Sequence, residues 1–508
     1  MSNVLYVGRF DKSVANTAYF SNPGCALKIN FNGTSVTGQF KKKSSAKKTT
    51  VLFIIIDGND SPNGRAVTAV TTTGYGTYSL ASGLATGDHT LEIVCNTEYY
   101  SGAVFNMAFG TQGFTITGGT GLLTSPSLPS RFIEYYGDSG AAGWTCWNPY
   151  DAGTYTDGEG YFSFPQVAAR ALGAYCHNNS QSSAGITTYS SPQLQLTYDL
   201  INPADARIAA NIWGFTVHPD VACIHLSSND SGYSDSYFTS RKPVIQQGWA
   251  DFRYKLRQKH PNAHICIVES YGWASYEPSQ YLEETVATIN TGGFGYDADT
   301  NVSACLVPWI WGQQHCVINE HAGFGNIIAN HLATVMSWST PTYDTRSTLP
   351  DGTIMPGDIT NSGFESAIVS VGTYKLPDGV RPSGTSGKVI ADTVIKRTGT
   401  YSLKVTDERN STPWGNWCTL ASPGETFSLS AYIKGSASTT CKLKLQAMDH
   451  GQATLSSNEG TKSITTGWLQ YTTVLTCPTN TAILWIVFTR EGGNGVSAWF
   501  DDLTLTKS

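Results

Sequence analysis

The stretch Arg131-Phe-Ile-Glu-Tyr-Tyr-Gly-Asp-Ser-Gly140 decides how the chain reads. Its apolar and aromatic run around Glu134 has the pattern of a buried strand, and it breaks at Gly137-Asp138-Ser139. A strand that ends on a serine in a Gly-rich turn holds that hydroxyl above a sheet, where a nucleophile belongs. Gly, Asp and Ser are also the commonest turn formers, so three residues alone read equally as a plain turn. The surrounding sequence has to separate the two readings.

Around this stretch, over residues 123–340, strands alternate with helices. Phe164 to Gly173 has helical spacing, Val221 to Leu226 is a buried-strand pattern, and Gly248 to His260 is amphipathic and stops before Pro261. His264 to Glu269 reads as another strand and Gly325 to Trp338 as another helix. Such alternation predicts an α/β domain with a mostly parallel sheet, whose ligands bind beyond the carboxyl ends of the strands. Residues 1–122 and 341–508 read differently. Short alternating strands separated by turns, such as Ala26 to Phe31, Ser35 to Phe40 and His89 to Val94, predict an N-terminal β-sandwich. After a Ser-Thr-Pro-Thr linker, Tyr401 to Val405, Phe427 to Tyr432 and Ala482 to Phe488 predict a C-terminal β-sandwich. The lysine run from Lys41 to Lys48 reads as a solvated hairpin loop.

Composition agrees with three domains in 508 residues. Charged residues are only 14% and aromatics reach 12%, which suits a β-rich folded chain and not a disordered one. The net charge of -6 is scattered, so no nucleic-acid partner is expected. No apolar run approaches the roughly 20 residues needed to span a bilayer. Eleven cysteines, odd in number and without a CxxC pair, predict free buried thiols made in a reducing cytosol, with no metal site. The amino terminus lacks the look of a secretory signal. The expected location is therefore cytoplasmic manufacture, with a virus particle as one final destination.

Three further signals fall at the ends of predicted strands. Gly185 in Ser182-Ser-Ala-Gly-Ile offers a backbone amide that can approach a ligand, and the Val221 to Leu226 strand runs into Ser227-Ser228-Asn229-Asp230. His315 and His321 both precede the last predicted helix of this region and supply imidazoles. Singly these are a turn glycine, a capping Asn and structural histidines. In this order the chain resembles the SGNH (or GDSL-type) hydrolases, with Ser139, Gly185, Asn229 and His315 matching their four blocks. Residues 5–340 together, including the phrases Val7-Gly-Arg9-Phe-Asp11 and Gly87-Asp-His-Thr-Leu91, resemble carbohydrate esterase family two, a jelly-roll-like sandwich preceding an SGNH domain.

The resemblance implies a serine esterase that removes O-acetyl groups without a metal or other cofactor. Ser139 would be the nucleophile, His315 the base, and the amides of Ser139 and Gly185 with the Asn229 carboxamide would receive the oxyanion. His321 and Asp138 are the supporting or alternative bases, and Asp138 reads more as stabilising the turn than as performing chemistry. Three departures stand out. Gly312 replaces the usual Asp three residues before the base, Gly140 replaces a bulky aliphatic, and Ser228 replaces a glycine.

Trp144, Trp147, Trp309 and Trp311 near the motifs read either as sugar platforms or as core fillers. The last domain resembles carbohydrate-binding modules and phage-fibre sandwiches, with Trp414 and Trp417 in a Pro/Gly-containing loop as candidate stacking residues. The expected partner is a polysaccharide or surface glycan, together with other virion proteins if the chain belongs to a phage. The competing expectation is a disabled hydrolase fold serving as an adhesin or virion decoration.

Overall fold

A computed structural model describes residues 3–13, 15, 17–41, 50–60, 66–95, 113–144, 146, 158–203, 207–231, 235–270, 281–307, 315–316, 318–344, 369–371, 374–376, 389–406, 414–449, 454–458, 460–481, 483–491 and 495–508. The protein is multidomain: a mostly β N-terminal domain, a parallel-sheet α/β core and a C-terminal β-sandwich.

The N-terminal domain closes two antiparallel sheets over one core. One sheet runs Leu5–Val7, Ala26–Asn32, Asp88–Cys95, Thr50–Ile56, Ala66–Val70, with Gly121–Leu122 added to Ala26–Asn32. The other runs Gly76–Ala81, Ser35–Phe40, Phe114–Thr117. The period-two alternation explains the packing. Leu27, Ile29 and Phe31 point inward from the first sheet and meet Val36, Phe40 and Leu80 of the second. Most of the lysine run, residues 42–49, lies outside the described residues.

In the central domain five strands pair entirely in parallel, in the order Ala174–Asn178, Arg131–Gly137, Val221–His225, His264–Ser270, Val302–Val307. Both faces are covered, so these strands are near-continuous apolar runs. Ile133, Tyr135, Cys223 and Val268 pack on one side with helices Phe164–Ala171 and Ile318–Val335. Tyr136, Ile224 and Ile267 pack on the other with helices Asp235–Lys259 and Leu282–Thr291. The long helix starts at Asp235, well before Gly248 where amphipathic spacing placed it, and carries Pro243 inside. Pro243 reads as a breaker in sequence, yet apolar packing of Ile245, Trp249 and Phe252 carries the helix through it. The second strand in the chain sits at the sheet edge beside the first. The third lies on the first strand's other side, so the strand order reverses beyond Gly137 and His225, the place where open parallel sheets bind ligands.

Arg9 of the N-terminal domain is sunk into the central one. Its Nη2 donates to Glu134 Oε1 at 2.7 Å and to the Tyr136 hydroxyl at 3.0 Å, and Nη1 donates to the carbonyls of Tyr198 at 2.5 Å and Leu200 at 3.0 Å. Glu134 also accepts from Asn179 Nδ2 at 3.0 Å and faces His260 Nε2 at 3.0 Å. Burial pushes the Glu134 carboxyl up, but the Arg9 charge and the His260 hydrogen bond outweigh it and hold it well below its ordinary value.

The C-terminal sandwich stacks the sheet Val389–Asp392, Ser402–Thr406, Ser497–Lys507, Thr426–Gly435, Leu469–Thr476 on the sheet Trp414–Leu420, Ile483–Glu491, Thr439–Met448, Thr454–Asn458. Leu403, Phe427, Leu429 and Phe500 meet Leu443, Leu445, Ile486 and Phe488 between them. Trp414 and Trp417 lie on a strand and not in the loop that the Pro/Gly signal suggested. The Trp414–Leu420 backbone pairs antiparallel with Ile483–Glu491 over its whole length, and that pairing overrides the local turn propensity.

Candidate active site

The nucleophile turn is built by three local rules. Strand Arg131–Gly137 ends at Asp138, whose extended backbone and side chain cap the short helix Ser139–Ala142, Oδ1 accepting from the Gly140 N–H at 3.0 Å. Ser139 is thus the first helical residue, and its N–H is one of the amides that a helix start leaves without an internal partner. Gly137 has to be glycine, because a Cβ there would lie 2.4 Å from Ala141 Cβ and 2.9 Å from Ser180 Oγ.

His315 stands just before helix Ile318–Val335, with its Nε2 2.8 Å from Ser139 Oγ. That is hydrogen-bond geometry for a base that takes the hydroxyl proton. His321 has another task. It is fully buried, and its Nδ1 accepts from the Phe164 N–H at 3.3 Å at the start of helix Phe164–Ala171. An accepting Nδ1 carries no proton, so this ring is neutral and serves the helix start. Gly312, at the position where an orienting aspartate is usual, lies outside the described residues.

Asn229 sits in helix Ser228–Ser231, directly beyond strand Val221–His225. One Nδ2 hydrogen goes to the Ala184 carbonyl at 2.8 Å, which fixes the carboxamide and leaves its second N–H for a ligand. The neighbouring Asp230 clamps the same turn, accepting from the N–H groups of Ile186 at 2.8 Å and Thr187 at 3.0 Å and from Thr187 Oγ1 at 2.6 Å. Burial raises the Asp230 carboxyl, against these hydrogen bonds.

The role expected of the Gly185 amide needs correction. Its N–H already donates to the Pro192 carbonyl at 3.0 Å, so it is engaged within the turn and not presented to an oxyanion. Gly185 matters for space: a Cβ there would lie 2.3 Å from Ser190 Cβ and 2.5 Å from Asp230 Oδ2. The turn bends two residues earlier, where Ser183 takes φ 62, the left-handed region that favours glycine.

Beneath the turn lies a buried layer that the sequence reading did not anticipate. His225 Nδ1 is 3.5 Å from Asp138 Oδ1, and Ser227 Oγ donates to Glu269 Oε1 at 2.6 Å. Burial pushes the Glu269 carboxyl up to about 8, against the His225 charge and the Ser227 hydrogen bond. Burial lowers His225, but Asp138 and Glu269 outweigh it and the net shift is upward. A His and a Glu at the carboxyl ends of otherwise apolar strands were the available signal.

Of the candidate tryptophans, partly buried Trp144 follows the turn, its N–H donating to the Ser139 carbonyl at 3.0 Å. Trp147, Trp309 and Trp311 lie outside the described residues. Among the described residues no group of three or more His, Cys, Asp or Glu is arranged to hold a metal ion. No helix there is long and apolar enough to cross a membrane.

Residues 6–126 match the family model of the carbohydrate esterase 2 N-terminal domain, and residues 358–492 match a carbohydrate binding domain. The chain is 29% identical over 297 residues to the cellulase/esterase CelE of Acetivibrio thermocellus, a stretch that covers 57% of this chain and 34% of that protein. It thus spans about a third of the length of that curated relative. A family two carbohydrate esterase from Clostridium thermocellum, solved in complex with cellohexaose, superposes with a TM-score of 0.57 at 24% identity, covering 66% of this chain and 99% of that one. One from Cellvibrio japonicus gives 0.56 at 19%, covering 66% and 96%. An acetyl xylan esterase from Butyrivibrio proteoclasticus gives 0.56 at 16%, with the same coverage. These likenesses show the shared fold. The chain thus resembles carbohydrate esterase family two, in sequence over residues 6–126 and in fold over 66% of its length, and matches a carbohydrate binding domain over residues 358–492.

Proposed function

We propose that this chain is a serine esterase of SGNH type that removes O-acetyl groups from a polysaccharide, its jelly-roll-like N-terminal sandwich buttressing the catalytic domain. The observation that carries the reading is the 2.8 Å contact between Ser139 Oγ and His315 Nε2 at the carboxyl end of the parallel sheet, where the strand order reverses. Ser139 Oγ attacks the acetyl carbonyl as His315 Nε2 takes its proton. The tetrahedral oxyanion is received by the Ser139 N–H and the second Asn229 N–H. The intermediate collapses as His315 returns the proton to the departing sugar hydroxyl, leaving acetyl-Ser139. Water, deprotonated by His315, then attacks the acyl group and releases acetate and the free serine. The carbohydrate-binding domain keeps the chain on its glycan, so that intramolecular encounter replaces diffusion.

The test is acetate release from acetylated xylan and a wider acetylated-glycan panel, with Ser139→Ala and His315→Ala as controls. Release by the parent and not by the variants supports the reading. Release that persists in Ser139→Ala, or no release on any substrate, removes it. The second outcome favours a glycan-binding adhesin or virion decoration on a hydrolase fold. A virion placement has one observation behind it: the ten cysteines whose side chains are described are buried and free, which suits manufacture in a reducing compartment. Immunodetection in purified particles of a producing phage would test it.

A further inference from the structure

We propose that His225 is a positioning residue for Ser139: its imidazole braces the buried Asp138 carboxylate from below and so holds the Asp138-Ser139-Gly140 turn with the hydroxyl on His315. The inference rests on the esterase reading above and adds a residue that no motif assigns.

Asp138 is 3% exposed and lies one residue before the nucleophile. One oxygen, Oδ1, both caps the Gly140 N–H at 3.0 Å and faces His225 Nδ1 at 3.5 Å. A buried carboxylate with only a neutral donor would be costly, and its charge would oppose the oxyanion that forms on the same turn. An imidazolium beneath it answers both problems. The space for that ring comes from Gly140. A Cβ built there would lie 3.4 Å from Asp138 Oδ1, 3.6 Å from His225 Cε1 and 3.8 Å from Phe164 Cε1. A methyl group would just fit, whereas the branched aliphatic expected at this position would extend into the Asp138–His225 contact. The departure at Gly140 thus leaves the room that the His225 ring occupies.

The groups around His225 favour the charged ring. Among the described residues, Asp138 faces it from the nucleophile turn, Glu269 from strand His264–Ser270, and the edges of Phe164 and Phe324 from the two covering helices, with centroids at 5.1 and 5.7 Å. Asp230 lies behind Glu269, from helix Ser228–Ser231. Burial pushes the Glu269 carboxyl up to about 8, and the two carboxyls shift His225 upward, so the ring faces Asp138 at 3.5 Å as its acidic partner.

The test is a double-mutant cycle on p-nitrophenyl acetate with His225→Phe, His225→Asn, Asp138→Asn and His225→Phe/Asp138→Asn. Each variant is also followed by Ser139 labelling with a fluorophosphonate and by thermal unfolding. His225→Phe should lower kcat about 10- to 100-fold, the cost of leaving the buried Asp138 carboxylate without the ring that faces it, with KM within about twofold. His225→Asn, which retains a donor near the Nδ1 position, should lose less. Neutralising Asp138 in the His225→Phe background should recover activity several-fold, because the uncompensated charge is gone; a purely structural histidine would give no such rescue. Wild-type kcat in His225→Phe, or a loss that Asp138→Asn leaves unchanged or deepens, overturns the proposal while the esterase reading stands. A parent protein that neither hydrolyses acetyl esters nor labels at Ser139 overturns both.

Discussion

Replacing Arg9 by leucine tests how the N-terminal domain holds the catalytic strand. The guanidinium is 1% exposed and makes four hydrogen bonds, to Glu134, Tyr136 and the carbonyls of Tyr198 and Leu200. Leucine retains much of the apolar stem and removes the charge with all four bonds. Glu134, also 1% exposed, is then left with Asn179 and His260. Deleting one partner of a buried pair costs about 3–5 kcal/mol. The two orphaned carbonyls place Arg9→Leu near the top of that range, about 5 kcal/mol. At roughly 2–4 °C per kcal/mol for a unit of this size, the midpoint should fall by about 10–20 °C.

The pH dependence separates charge from packing. In the parent, Glu134 sits below its ordinary 4.5, so its contribution is complete above 4.5 and is lost only as pH falls through the depressed folded value. Without Arg9, burial dominates and the folded value moves above 4.5, so the variant gains relative stability as the carboxyl protonates. The deficit should therefore be largest near neutrality and shrink towards pH 5, as measured by scanning calorimetry on both proteins. Arg9→Leu/Glu134→Leu should recover part of the loss at pH 7, because an apolar pair often replaces a buried ion pair without penalty. A midpoint change under about 3 °C, or a deficit that grows on acidification, would refute the account.

Asn229→Ala should lower kcat on p-nitrophenyl acetate about 100- to 1000-fold with little change in KM, the cost of one oxyanion donor. A loss under threefold would take Asn229 out of the site. Gly185→Ala should depress both stability and kcat, because its Cβ would lie 2.5 Å from Asp230 Oδ2 in the clamp that holds the Asn229-bonded turn; unchanged unfolding and kinetics would show that the turn absorbs the methyl freely. His321→Ala should lower the unfolding midpoint more than His315→Ala, which should lower kcat more, since the first ring serves a helix start and the second faces the nucleophile. The reverse ranking would exchange their roles. Glu269→Gln should flatten the stability profile: a folded value of about 8 above an ordinary 4.5 contributes stability that is complete below 4.5 and lost as pH rises to about 8. A parent profile without that fall would show that the carboxyl is not raised.

How much of this was legible in the sequence follows from the range of the interactions. The strand-and-turn from Arg131 to Ser139 was legible because a buried run, a cap and a glycine at 137 are local, and each leaves its own residue type. Asn229 and His315 were legible as polar residues after predicted strands, although nothing local says that His315 and not His321 faces the serine. That choice is made by Phe164, 157 residues from His321 along the chain, whose N–H engages the His321 ring. The Gly185 amide was misassigned for a related reason: a turn glycine looks the same whether its N–H faces a ligand or a carbonyl such as that of Pro192. Arg9, Glu134, His225 and Glu269 were invisible as a set, since their partners come together only when two domains dock or neighbouring strands align. One departure from the family pattern and two serines at positive φ lie close to this hidden layer. Gly140 leaves room beside His225, Ser183 bends the Asn229-bonded turn at φ 62, and Ser227 hydrogen-bonds Glu269 at φ 146. Backbone conformations that favour glycine persist at two serines only if their surroundings over-determine them. The Ser227–Glu269 hydrogen bond supplies such a constraint at one of them, which ties the oxyanion side of the site to the same buried layer that braces the nucleophile.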